Sequence, residues 1–270
     1  MSDSLRVSIG QICSSEDVGE NLRQIEDLVR RSADAGSDLL TLPENATQLA
    51  PELKRLSDAE SMDGRQIQTL QEIAAKCGVA FCLGSFAEKG PDDTHTYNTS
   101  VVIGSDGAVL GSYRKIHLFD VGVDKDTTFS ESDSVAAGVP QPVVLELGGW
   151  KLGLSICYDI RFPELYRGLS AAGAEVLLVP AAFTFRTGSA HWELLVRARA
   201  VENLCFVIAT DQVGRHYGSR ESWGHSMAVD PWGTVIAQIG EKAGLIQATL
   251  HRSRLEETRA SLPCLTHRRI

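Results

Sequence analysis

Two short runs of this chain echo each other and limit the folds open to it. Ala35-Gly36-Ser37-Asp38-Leu39-Leu40-Thr41-Leu42-Pro43 returns in the second half as Ala172-Gly173-Ala174-Glu175-Val176-Leu177-Leu178-Val179-Pro180. Each is a glycine that closes a helix, an acid, a buried strand and a proline that stops it. The flanks repeat as well. In the first half the hydrophobic pattern predicts a strand over 5–12, a helix over 21–35, the proline-stopped strand over 37–44, a helix over 66–76 and a strand over 79–86. A hairpin follows, with Ser105-Asp106-Gly107 as its turn between 101–103 and 109–110. In the second half the same reading gives a strand over 151–157, a helix over 163–172, the echoed strand, a helix over 190–203 and a strand over 205–210. It closes on a hairpin around Pro231-Trp232-Gly233, between 227–229 and 235–236.

A half this rich in sheet cannot cover its own apolar face. The two sheets are expected to stack, with helices outside: an α/β fold, a four-layer α-β-β-α sandwich with internal pseudo-two-fold duplication. The chain of 270 residues, 43% of them hydrophobic, is long enough to fold as a single domain over 1–270. A doubly wound nucleotide-binding sheet would want a glycine-rich loop after the first strand, where Ile9-Gly10-Gln11-Ile12 has one glycine. Residues 90–95 and the long charged stretch 121–138 read as surface loops, and a loop of the second kind is often functional.

A formal charge of −9 argues against nucleic acid or an anionic membrane as the main ligand. The six cysteines have no CxxC spacing, which reads as reduced thiols and no metal site. Met1-Ser2-Asp3-Ser4-Leu5 leads directly into a strand-like run, and no apolar run approaches the roughly 18 residues needed to span a bilayer. A cytoplasmic protein with a small-molecule substrate is expected.

Cys157 falls where the alternation of Leu152, Leu154 and Ile156 stops, just before a helix begun by Pro163. That is the end of a strand at which open α/β sheets keep their chemistry, although a cysteine in an apolar strand also serves as a small buried hydrophobe. Glu44 follows the first half's proline. Desolvation there would push its pKa towards a base's range, while the plainer alternative is a helix cap or surface acid. Lys115 ends a hairpin arm, either as a solvated edge residue or as an inward charge. Glu131 lies in the charged loop and by itself reads as surface. Taken together the four supply a thiol, a base, a cation for an oxyanion and a second polar group.

Three blocks carry a resemblance over nearly the whole chain: Leu42-Pro43-Glu44-Asn45; Tyr113-Arg114-Lys115-Ile116-His117-Leu118-Phe119-Asp120; and Ile156-Cys157-Tyr158-Asp159-Ile160-Arg161-Phe162-Pro163-Glu164. In this order they resemble the nitrilase (carbon–nitrogen hydrolase) superfamily. The resemblance implies an α-β-β-α sandwich and an amidase that needs no metal or organic cofactor, with Cys157 as nucleophile, Glu44 as general base and later acid, and Lys115 beside the tetrahedral intermediate. It further implies the Tyr158 N–H as an oxyanion donor and Glu131 as a positioning group. A thioester at Cys157 would form with release of ammonia and then be hydrolysed.

The run Phe183-Thr184-Phe185-Arg186-Thr187 and the segments around Gly214-Arg215-His216 and Gly224-His225-Ser226 look like the deaminated-glutathione amidase branch. Arg186, Arg215 and Arg220, expected in loops after strands, with Thr187 and Tyr158, are the candidates for holding a small anionic amide. An ω-amidase or N-carbamoyl amidohydrolase is the alternative within the superfamily. A Cys-His hydrolase using His117 or His191, or a binding protein without catalysis, is the alternative outside it. The family habit and apolar Leu262 and Leu265 predict a homodimer or higher homo-oligomer.

Overall fold

The computed structural model describes residues 3–122 and 128–270. In the first half β1 (Ser4–Gln11) leads to α1 (Val18–Asp34) and β2 (Leu39–Thr41). After α2 (Glu52–Ser57) and α3 (Arg65–Cys77) come β3 (Ala80–Cys82), β4 (Phe86–Lys89), β5 (Thr96–Ile103) and β6 (Val109–Arg114). A small hairpin, β7 (Asp120–Gly122) and β8 (Thr128–Ser130), bridges to the second half. There β9 (Val144–Leu147) and β10 (Trp150–Leu154) precede α4 (Pro163–Ala171), β11 (Val176–Ala181), α5 (Phe185–Asn203) and β12 (Phe206–Asp211). The hairpin β13 (Val213–Arg215) and β14 (Glu221–Trp223) and the pair β15 (Met227–Val229) and β16 (Val235–Gln238) follow. The chain returns through β17 (Gly244–His251) to α6 (Arg252–Ser261).

The two sheets have the same order. In one, β1, β2 and β3 run parallel, with β5 antiparallel beside β3 and β17 antiparallel on the far side of β1. In the other, β10, β11 and β12 run parallel, with β15 antiparallel beside β12 and β9 antiparallel on the far side of β10. The sheets pack face to face: Leu5, Val7 and Ile9 share a core with Leu152, Leu178 and Val207, and Thr41 Oγ1 meets Thr210 Oγ1 at 2.7 Å between β2 and β12. The opposite face of the first sheet is covered by Ile25, Leu28 and Val29 of α1 and Ile67, Leu70 and Ile73 of α3. Leu169 of α4 and Trp192 and Val196 of α5 cover the second sheet. Each such fully buried aliphatic side chain stabilises the fold by about 2 kcal/mol. This is the expected four-layer α-β-β-α sandwich with its internal duplication.

Local chemistry moved several boundaries. The α1 helix starts at Val18 because Asp17 caps it, its carboxylate accepting from Glu20 N at 2.7 Å. Thr184 caps α5 through Thr187 N, so that helix begins at Phe185 rather than near 190. The strand expected over 79–86 is broken at Gly84, whose φ of +83° and whose contact with Pro43 admit no side chain. The stretch 121–138 is not a plain surface loop: it contains the β7–β8 hairpin and a 3-10 turn over Glu131–Asp133. Residues 123–127 of that expected loop lie outside the described residues. Among the described residues no helix is long and apolar enough to cross a membrane.

Candidate active site

The candidate groups converge where the parallel strands end. Glu44 follows β2, Ala182 follows β11, Cys157 stands just beyond β10, and Lys115 follows β6 directly. Glu44, Lys115, Glu131 and Cys157 all line one cleft. The surface readings of Lys115 and Glu131 therefore fail, since their side chains are 2% and 12% exposed.

The turn that carries Glu44 is fixed from two sides. Gly84 lets its strand pass against the Pro43 carbonyl, so Asn45 N can donate to Ser85 Oγ at 2.7 Å and Ala46 N to Ser85 O at 3.0 Å. From the other sheet, Gln212 Nε2 donates to Glu44 O at 3.0 Å. The Glu44 carboxylate then receives three donors: Lys115 Nζ at 3.0 Å and Asn98 Nδ2 at 2.8 Å on one oxygen, and Ala182 N at 2.9 Å on the other. Glu131 accepts from Lys115 Nζ at 2.8 and 3.1 Å and from Phe119 N at 2.7 Å. One ammonium is thus clamped between two carboxylates. Burial alone would lower its pKa, but Glu131 and Glu44 outweigh burial and raise it above the ordinary lysine value. Burial acts in the opposite sense on Glu131, where Lys115 and the Phe119 N–H hold the carboxyl below its usual range.

Cys157 opens a 3-10 turn (Cys157–Arg161) with φ of +49°, an uncommon conformation for a residue with a side chain and one held here by the turn around it. Burial and the Glu44 carboxylate push its thiol well above the usual range, against Lys115 and the Ala182 N–H, which favour the thiolate. The sulfur is thus a thiol beside a carboxylate able to take its proton, with a fixed cation at hand.

Of the residues expected to hold substrate, Tyr158, Thr187 and Arg220 line the cleft. Arg220 donates to Ala182 O at 2.9 Å, which braces the peptide whose N–H holds Glu44. Arg186 and Arg215 do not line it. Arg186 is exposed on the first turn of α5, which the Thr184 cap made helical instead of loop. Arg215 is 83% exposed at the end of β13, 3.8 Å from Glu221 across the hairpin. The histidines of the Cys-His alternative also stand apart. His117 Nδ1 bonds to Asp159 Oδ1 at 2.7 Å and its ring stacks on Phe162, while His191 Nδ1 faces the Arg161 guanidinium at 3.3 Å.

Sequence reasoning passed over four groups. Asn98 is a buried amide in β5 beside Thr96, Thr99 and Ser100, where one more polar residue does not stand out. Arg161 lies inside the cysteine block, where its sequence context alone assigns it no role, and it lines the cleft. Arg55 reaches the cleft from α2, a helix too short to leave a periodic trace. The Ala182 N–H carries no side-chain signal at all.

Two stacked sheets of duplicated order, meeting at a cysteine flanked by a carboxylate–ammonium–carboxylate array, define a nitrilase-type hydrolase. The family model for carbon-nitrogen hydrolases matches residues 6–260, and the chain belongs to that family. It is an amidase acting on C–N bonds other than those of peptides. It is 43% identical over 260 residues to the deaminated glutathione amidase of Synechocystis, covering 96% of each chain. It is 42% identical to the Homo sapiens deaminated glutathione amidase, over 97% of this chain and 82% of that one. Its fold matches the crystal structure of the Caenorhabditis elegans NitFhit protein with a TM-score of 0.92 at 35% identity, over 99% of this chain and 66% of the other.

Proposed function

We propose that the cleft hydrolyses a small anionic amide through a thioester on Cys157, and that deaminated glutathione, for which the relatives are named, is the first substrate to test. The observation that carries this is the Lys115 ammonium shared between Glu44 and Glu131 in the cleft that holds Cys157. Glu44 takes the thiol proton as the sulfur attacks the amide carbonyl. The oxyanion is met by Lys115 Nζ and by the N–H of Tyr158, the second residue of the 3-10 turn, where helix N–H groups have no carbonyl partner inside the helix. As the C–N bond breaks, Glu44 returns the proton to the departing nitrogen and ammonia leaves. When that nitrogen is substituted, the same step releases a primary amine. A water deprotonated by Glu44 then attacks the thioester, the acid leaves and the sulfur regains a proton. Glu131 keeps Lys115 in place.

The anionic preference is supported by Arg161 and Arg220, which line the cleft and have no carboxylate partner within 4 Å among the described residues. Guanidiniums of this kind bind carboxylates through paired N–H donors. The test is a screen for ammonia, amine and carbon dioxide release on deaminated glutathione, ω-amides such as α-ketoglutaramate, and N-carbamoyl compounds. Carbon dioxide release would move the assignment to the N-carbamoyl hydrolases, and a preference for α-ketoglutaramate would move it to the ω-amidases. Product formation that survives Cys157→Ala would refute the mechanism.

A further inference from the structure

Several guanidiniums of this chain are paired with acids. Arg114 pairs with Glu88 at 2.6 Å, Arg254 with Asp230 at 2.8 Å and Arg6 with Asp38 at 3.1 Å. Arg55, which lines the cleft from α2, is not so paired, and it shares this with Arg161 and Arg220. Among the described residues its guanidinium has no carboxylate within 4 Å, and its Nε atom is buried without a hydrogen-bond partner. Glu52 stands one helical turn earlier and also faces the cleft, yet makes no ion pair with it. A buried charged donor with nothing to bond is costly, and it is a cost that a bound anion removes. The charge is close enough to the centre to help hold the Glu131 carboxyl below its usual range, after Lys115 and the Phe119 N–H.

Arg55 also comes from a different part of the chain. Arg161 and Arg220 belong to the second half of the duplication, whereas Arg55 reaches the cleft from the α2 segment between β2 and α3. A single carboxylate is satisfied by one bidentate guanidinium. Arg161 and Arg220 already offer more than one carboxylate needs, and Arg55, entering from a separate element with its Nε unbonded, points to a second anionic group on the ligand. We propose that Arg55 binds a second substrate carboxylate, so that the cleft selects amides with a carboxylate on each side of the scissile bond over amides with only one. This rests on the anionic-amide reading above and adds the residue that would set the choice within it.

A matched pair of substrates tests it: N-glutarylglycine, with a carboxylate on both sides of the amide, and N-propylglutaramate, in which the leaving side is uncharged. Amine release gives kcat/KM for each on the intact protein. The wild-type enzyme is expected to prefer the first substrate by tenfold or more. Arg55→Met should cut that ratio at least tenfold, mainly through KM; Arg55→Gln, a second way of removing the charge, should do the same, and Arg55→Lys should keep part of the preference. A ratio unchanged in both charge-removing variants overturns the role of Arg55 while leaving the anionic-amide reading intact. A wild-type enzyme that cleaves uncharged N-propylbutanamide as well as either anion overturns that reading and this proposal with it.

Discussion

The carboxylate of Asp159, two residues beyond Cys157, accepts a 2.7 Å hydrogen bond from the hydroxyl of Tyr113, two residues before Lys115. Ile156 N donates to the same oxygen at 2.8 Å, and the other oxygen takes the N–H and Nδ1 of His117 at 3.1 and 2.7 Å. One fully buried acid thus ties the turn of the nucleophile to the arm of the cation. It keeps sulfur and ammonium in register although they lie on different sheets. Asp159→Asn should therefore lower kcat at least tenfold, because the amide cannot accept from all four donors. Tyr113→Phe should cost about 2 kcal/mol of stability, the worth of a hydrogen bond to a charged group, with a smaller fall in kcat. Thermal melts and steady-state rates on the two variants check this, and unchanged kcat in Asp159→Asn would refute the coupling.

The charges around Cys157 make opposite predictions for its two neighbours. Glu44 opposes ionisation of the thiol and Lys115 favours it. Alkylation of Cys157 by iodoacetamide should therefore slow in Lys115→Met and hold or quicken in Glu44→Gln. Amide turnover should fall in both, in Glu44→Gln by about 10²–10⁴-fold, the usual worth of a general acid–base group. Peptide mapping of the alkylated protein separates Cys157 from fully buried Cys82, which should react more slowly. Slower alkylation in Glu44→Gln would mean that the carboxylate acts on the resting thiol as an activating base.

Much of this was legible in the chain because the signals were local. Alternating apolar residues, proline stops and the echo of 35–43 in 172–180 predicted two stacked sheets, and the sheets have the same strand order. The edge strands β9 and β17 were missed because edges are half-exposed and their alternation is weak. Burial of Lys115 was illegible for another reason. A lysine is tolerated there only because Glu44, 71 positions away, and Glu131, 16 positions away, neutralise it, and pairing at such range leaves no periodic trace. Arg186 reads as a loop residue in the sequence because the Thr184 cap that makes it helical depends on a single hydroxyl. Asn98 and Arg55 left no local signal, since Asn98 stands among Thr96, Thr99 and Ser100 and Arg55 on a six-residue helix with no buried residue.

Gly84 allows a sharper mutational test than any residue of the cleft itself. With φ of +83°, a Cβ at this position would lie 2.0 Å from the Pro43 carbonyl oxygen, next to Glu44. The clash is with backbone, so no side-chain rotation relieves it. Gly84→Ala should cost about 2–5 kcal/mol, from backbone strain and overpacking together. Because it displaces the turn that aims Glu44, kcat should drop in whatever protein still folds. Gly78, also at φ of +69° but with open space around it, is the control. Gly78→Ala should lose only about 1 kcal/mol, the strain of a left-handed residue, and keep its kcat. Equal losses in the two variants, measured by denaturant unfolding, would remove the close approach from the explanation.

His216 gives the fold a pH dependence of known sign. Its ring is held between the Ser14 carbonyl at 2.9 Å and Ser222 Oγ at 3.0 Å, and burial, with Arg220 nearby, lowers its pKa to about 4 against the Ser14 interaction. The unfolded chain, with an ordinary value near 6.5, takes up this proton first as the solution is acidified. Stability from this site is therefore complete above about 6.5, declines as the pH falls towards about 4 and declines no further below that value. The same hairpin carries Arg220, since His216 N donates to Arg220 O at 3.0 Å, so acid should loosen a cleft-lining guanidinium as well as the fold. In His216→Gln the fall of melting temperature between pH 6.5 and 4 should be shallower than in the wild type, and the rise in KM for anionic amides over that range smaller. Parallel melting curves for the two proteins would show that the acid sensitivity arises elsewhere in the chain.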